Sequence, residues 1–171
     1  LECEYNSLMS NAAVFPVTHV PRGARVLPMK MVLTLKPISG THLKKKKARA
    51  CVCGNYQQKA LGLLLYTANI DVTSIRVVLA VAAQNGWGIT VMDVVTAFLR
   101  APMPDVSDAE AVYVKPPALF EQFGLVKPGT IWKLTKAVYG LRISPRLWGL
   151  ERDKRLKELR VQINSEPYMF M

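Results

Sequence analysis

The sequence predicts an α+β domain, and three features carry that expectation. Residues 25–36, RVLPMKMVLTLK, are an apolar, β-leaning run; a second run at 44–56 follows a Ser-Gly turn, which is the pattern of a hairpin with a basic returning arm. Residues 71–86 place Ile75, Val78, Leu79 and Ala82 at the i, i+3, i+4, i+7 spacing of a helix with a buried face. A long charged stretch after Pro145 reads as a further helix. At 171 residues the chain fits one domain or a large piece of one, and 50% apolar against 20% charged residues excludes a disordered chain.

The elements follow in order. Residues 2–11 predict a short helix with Tyr5, Leu8 and Met9 on one face. Residues 14–20 are extended or irregular and stop at Pro21. The hairpin turns at Ser39 and Gly40. Asp71, Thr73 or Ser74 can cap the helix at 71–86, and Gly86 can end it. Residues 88–94 predict a strand and 96–99 the start of a helix, which Pro102 and Pro104 break. Short strands are expected at 112–114 and 131–134, with a loop and a short helix near 119–123 between them. Tyr139-Gly140 reads as a turn. Ser144 followed by Pro145 reads as a cap and a first helical proline, opening a helix to about Arg160.

The formal net charge is +11, from 23 Lys and Arg against 12 Asp and Glu, and a surplus of that size suits a polyanion such as nucleic acid. A merely soluble basic protein would share it. Among the three cysteines, Cys51 and Cys53 form C-V-C, which lacks the C-x-x-C spacing of zinc and redox motifs. Reduced thiols, no visible signal peptide and no apolar run long enough for a bilayer predict an intracellular chain, in cytoplasm or nucleus, without a membrane partner. A first residue Leu1, not Met, suggests a fragment.

The stretch VMDVVTAFL at 91–99 sets a carboxylate, Asp93, in an apolar run. Unpaired burial would be costly. On a strand, Ile89, Val91 and Asp93 share a face, so Asp93 can end a buried strand as a metal ligand. From spacing alone an N-cap for the next helix is the more economical reading.

Six blocks shift that balance. VMDVVTAFLRAPM at 91–103 resembles the first catalytic-aspartate motif of Ty1/copia-type reverse transcriptases. KMVLTLK at 30–36, KKKARACVCGNYQQ at 45–58, TSIRVVLAVAAQNGW at 73–87, VYVKPPALF at 112–120 and WKLTKAVYGLRISPRLW at 132–148 resemble further blocks of that family, in its order and over nearly the whole chain.

The resemblance implies the fingers and part of the palm of a right-hand polymerase: a single partial domain over 1–171, with the fingers hairpin at about 25–60 and the partial palm at about 71–171. It implies an RNA template, a DNA primer and dNTP as partners, and Mg2+ as cofactor, since polymerisation uses two metal ions held by carboxylates. Asp93 becomes the catalytic metal ligand. Val94 and Val95 offer backbone N–H groups to the triphosphate, and Phe98 matches a ring that selects deoxyribose; without the resemblance Phe98 reads as a core aromatic. Lys36, Lys47 and Arg49 become phosphate contacts, with Arg49 favoured because it alternates with Ala48 and Ala50. Part of the KKKK run reads as solvated surface. Tyr139 and Gly140 match a turn near the nucleotide, and otherwise read as an ordinary turn.

The match also departs from the family. Its paired aspartates, in a Y-V-D-D hairpin, are absent, and SEPYMFM at 165–171 resembles the strand that precedes them. Cys53 replaces a lysine, Ile143 a glutamine and Phe15 a tryptophan, and LGLLLYTANI at 61–70 has lost an acid and a proline. The expectation is a truncated, inactive piece of a Pol polyprotein. The alternative is a non-catalytic basic nucleic-acid-binding remnant of a mobile element.

Overall fold

The computed structural model describes residues 1–38, 40, 42, 44–57 and 70–158. Its elements are α1 (Glu2–Ser10), β1 (Val14–Val17), β2 (Val26–Pro37), β3 (Lys44–Val52), a 3-10 turn (Gly54–Tyr56), α2 (Val72–Gln84), α3 (Ala97–Arg100), β4 (Tyr113–Lys115), α4 (Ala118–Gln122), β5 (Ile131–Leu134) and α5 (Ser144–Glu158). The α+β expectation holds. The turn residue Ser39, most of LGLLLYTANI and the last residues of the expected final helix lie outside the described residues.

Five strands form one sheet in the order β1-β5-β4-β2-β3. β2 and β4 run parallel, and the other neighbours are antiparallel. The long hairpin pairs Met29 with Val52 at its base and Pro37 with Lys44 near its tip. Alternation divides it. Lys30, Val32, Thr34 and Lys36 share a face with Cys51, Arg49, Lys47 and Lys45, their direct partners. Met29 and Met31 share the other face with Val52 and Ala50, and at that end the ribbon joins the core.

The core closes under this sheet. Trp132, Phe120 and Val114 are fully buried, and Tyr5 meets Phe120 edge-on at 5.7 Å. Leu8 is buried, with Tyr5 and Met9 packed beside it, so α1 uses the face that its spacing predicts. Gly140 has φ +86°, and a Cβ there would collide with the Val52 carbonyl. A Cβ on Gly54 would collide with the Gly140 carbonyl. The turn and the end of β3 are thus pressed backbone to backbone, joined by Val52 N–H to Tyr139 O at 2.7 Å and by Arg142 Nε–H to Gly54 O at 2.9 Å.

Three expectations need correction. Helix α2 forms where predicted, and its Asp71 cap accepts from the N–H groups of Thr73 and Ser74 at 2.8 and 3.3 Å. Its apolar face is not buried: Ile75, Val78 and Leu79 are 40%, 44% and 45% exposed, and only Ala82 is covered. Spacing creates an apolar stripe, but burial needs an opposing layer, which the described residues do not supply. Second, residues 88–94 form no strand. Val91 and Met92 are 91% and 88% exposed, and alternation without a ladder partner does not make a strand. Third, Ser144 is the first residue of α5 rather than its cap. Its buried hydroxyl donates to the Val138 carbonyl at 2.6 Å, fastening the Tyr139 turn to the helix.

Candidate functional site

A cleft of about 540 Å³ opens between the hairpin, α1, α3 and the Tyr139 turn. It gathers seven of the nine residues expected from sequence: Lys47, Arg49, Asp93, Val94, Val95, Phe98 and Tyr139. Lys36 and Gly140 lie outside its lining. Lys36 shares the basic face but pairs with Lys45 further toward the hairpin tip. Gly140 faces the Val52 backbone instead.

Each wall follows from local structure. The register sets Lys47 opposite Thr34 and Arg49 opposite Val32, so both cations leave the ribbon on one side. Asp93 is solvent-exposed, on the irregular segment that leads into α3. Thr96 begins that short helix in the left-handed region, at φ 55° and ψ 40°. This sharp bend turns the chain so that residues 93–98 line the cleft. α3 has no side-chain cap, and the Thr96 hydroxyl donates to Val95 O at 2.7 Å, so Asp93 does not act as the helix cap.

The floor is aromatic. Phe98 meets Tyr139 edge-on at 5.1 Å, and the Arg49 guanidinium carbon lies 5.2 Å from the Tyr139 ring centroid. Such a stack is favourable by about 0.5–1 kcal/mol where exposed. Phe98 also packs against the buried cluster of Ala101, Ala137 and Leu147, as Trp148 does, so its core role and its place in the cleft coexist.

Sequence reasoning missed Glu4, Ser7 and Trp148, which share the lining. Trp148 ends the stretch WKLTKAVYGLRISPRLW, whose pattern alone does not point it at the cleft. Nothing in the sequence pointed α1 at the edge of β3, yet Glu4 Oε1 accepts the Ala50 N–H at 2.9 Å. Nearby, burial pushes the Cys51 thiol above its ordinary value; the charge of Glu4 adds to this, while Arg49 and Lys30 oppose it.

Chemically, the cleft offers cations for phosphate oxygens, rings for a sugar or base, and one exposed carboxylate. The domain that carries it is of the α+β class, with one mixed five-stranded sheet. Comparison with known proteins specifies the family. A family model described as reverse transcriptase (RNA-dependent DNA polymerase) matches residues 12–170. The chain is 31% identical over 169 residues to the retrovirus-related Pol polyprotein from transposon TNT 1-94 of Nicotiana tabacum, covering 98% of this chain and 12% of that relative. It is 31% identical over 149 residues to the corresponding polyproteins from transposons RE2 and RE1 of Arabidopsis thaliana, covering 86% of this chain and 10% of each. No solved structure matches. The chain belongs to the reverse transcriptase (RNA-dependent DNA polymerase) family, as its motifs suggested.

Proposed function

We infer that the chain is the fingers and first part of the palm of a right-hand polymerase, one partial domain over 1–171 of a longer retrotransposon Pol polyprotein. Its fingers hairpin falls at about 25–60 and its palm portion at about 71–171. The reaction it serves is template-directed dNTP addition on an RNA template. The observation that carries this reading is the shared cleft, in which Asp93 stands with Lys47, Arg49, Phe98 and Tyr139.

In this reading Lys47 and Arg49 bind the triphosphate, and Lys36, further out on the same face, tracks the template backbone. The N–H groups of Val94 and Val95 face phosphate oxygens. Phe98, braced by Tyr139, sits under the sugar and disfavours a 2′-hydroxyl, and Gly140 holds the turn. Asp93 is one metal-ligating carboxylate. The described residues contain no group of three His, Cys, Asp or Glu able to hold a metal. Magnesium asks for more oxygen ligands than one carboxylate gives, so this cleft does not by itself fit a two-ion centre. In this reading the cleft binds its ligand without turnover of its own.

Primer extension on an RNA template checks this: the purified chain should bind the primed template in a salt-dependent way and form no product. Product that Asp93→Ala abolishes would refute the lack of turnover. No binding at low salt would refute the nucleic-acid reading.

A further inference from the structure

Glu4 stands in the cleft although no motif points to it. Among the described residues β3 is the last strand of the sheet, and no described strand lies along its outer edge. Glu4 reaches from α1 to that edge and accepts the N–H of Ala50, 46 residues away, at 2.9 Å. The bond fixes a carboxylate next to the strand that carries Lys47 and Arg49, and all three side chains line the same cleft. The electrostatic reach of Glu4 to Cys51, on the basic face, is a second sign of this proximity.

A carboxylate held near cations competes with phosphate for them, and an arriving polyanion must approach a like charge. We propose that Glu4 is an affinity-determining residue of the cleft, whose anchored carboxylate offsets part of the charge of Lys47 and Arg49 and weakens the hold on a nucleoside triphosphate. This rests on the triphosphate reading of the cleft. Bound ligand is then held loosely enough to exchange, and its binding depends less steeply on salt than two uncompensated cations would make it.

Equilibrium dialysis of dTTP against the full 171-residue chain tests this. Glu4→Gln keeps an oxygen that accepts the Ala50 N–H and removes only the charge. It should bind dTTP about 3- to 10-fold more tightly at low salt, with the gain shrinking as salt rises. Ser7→Glu adds a carboxylate to the same wall without touching the Ala50 bond, and should weaken dTTP by a similar factor, so the test does not depend on one variant folding. Peptide-resolved alkylation gives a further readout: Cys51 should react faster in Glu4→Gln, because the charge that adds to the effect of burial on its thiol is gone. Wild-type binding with unchanged affinity in both variants would overturn the role of Glu4 and leave the triphosphate reading standing. No dTTP binding by any of the three proteins would overturn that reading, and the role of Glu4 with it.

Discussion

The guanidinium of Arg49 lies over the ring of Tyr139, with 5.2 Å between the guanidinium carbon and the ring centroid. The hairpin and the turn after β5, far apart in sequence, thus meet at one side-chain pair. Arg49 carries both a charge for phosphate and a plane that stacks, and lysine supplies only the charge. In single-stranded RNA binding, Arg49→Ala should reduce the slope of log K against log salt by about 0.7, the value for one phosphate contact on a single strand. Arg49→Lys should keep the slope. Filter binding across a salt series checks both, and an unchanged slope in Arg49→Ala would remove Arg49 from the interface.

Gly140 and Gly23 both have positive φ, at +86° and +85°, but only Gly140 has a backbone pressed against it. Gly140→Ala should destabilise the chain by roughly 3 kcal/mol, from left-handed strain plus overpacking against Val52. Gly23→Ala should cost about 1–2 kcal/mol, from strain alone. Urea unfolding of the two variants separates these terms, and equal losses would mean that the turn is not clamped to β3.

Hydrogen bonds from the Thr73 side chain and from Ser74 hold the Asp71 carboxyl below its ordinary value. A carboxyl lowered in the folded state stabilises fully above its unfolded value, and that contribution fades as pH falls through the folded one. Protection of the first turn of α2 in amide exchange should therefore drop in acid in the wild type. In Asp71→Ala it should already be low at neutral pH. Equal pH profiles for the two proteins would rule out the cap.

The sequence made the hairpin legible because two β-leaning runs flank a Ser-Gly turn, a local signal, and the paired register then sets Lys36, Lys47 and Arg49 on one face. The Asp71 cap and the ends of β5 were legible for similarly local reasons. The exposure of Ile75, Val78 and Leu79 was not, since a stripe's burial depends on what packs over it. Nor was the irregular course of 88–94, because strand formation depends on a partner that periodicity does not reveal. Glu4 escaped notice because its contact with Ala50 spans 46 residues and is made to a backbone group, leaving no trace in side-chain pattern. The contact between Gly54 and Gly140 is hidden in the same way. Lys36 was grouped with Lys47 and Arg49 by the family resemblance, while register sets it nearer the tip.

Whether a nucleotide lies against Asp93 can be read by photo-crosslinking. A dTTP analogue with a photoreactive base, irradiated with the 171-residue chain and mapped by peptide mass spectrometry, should label residues 93–98 or Tyr139, with Arg49 the expected site on the hairpin. Unlabelled dTTP should suppress the adducts, and Lys47→Gln should reduce them. Adducts confined to other surfaces, or insensitive to competing dTTP, would contradict the placement of the nucleotide in this cleft and the polymerase reading of Asp93.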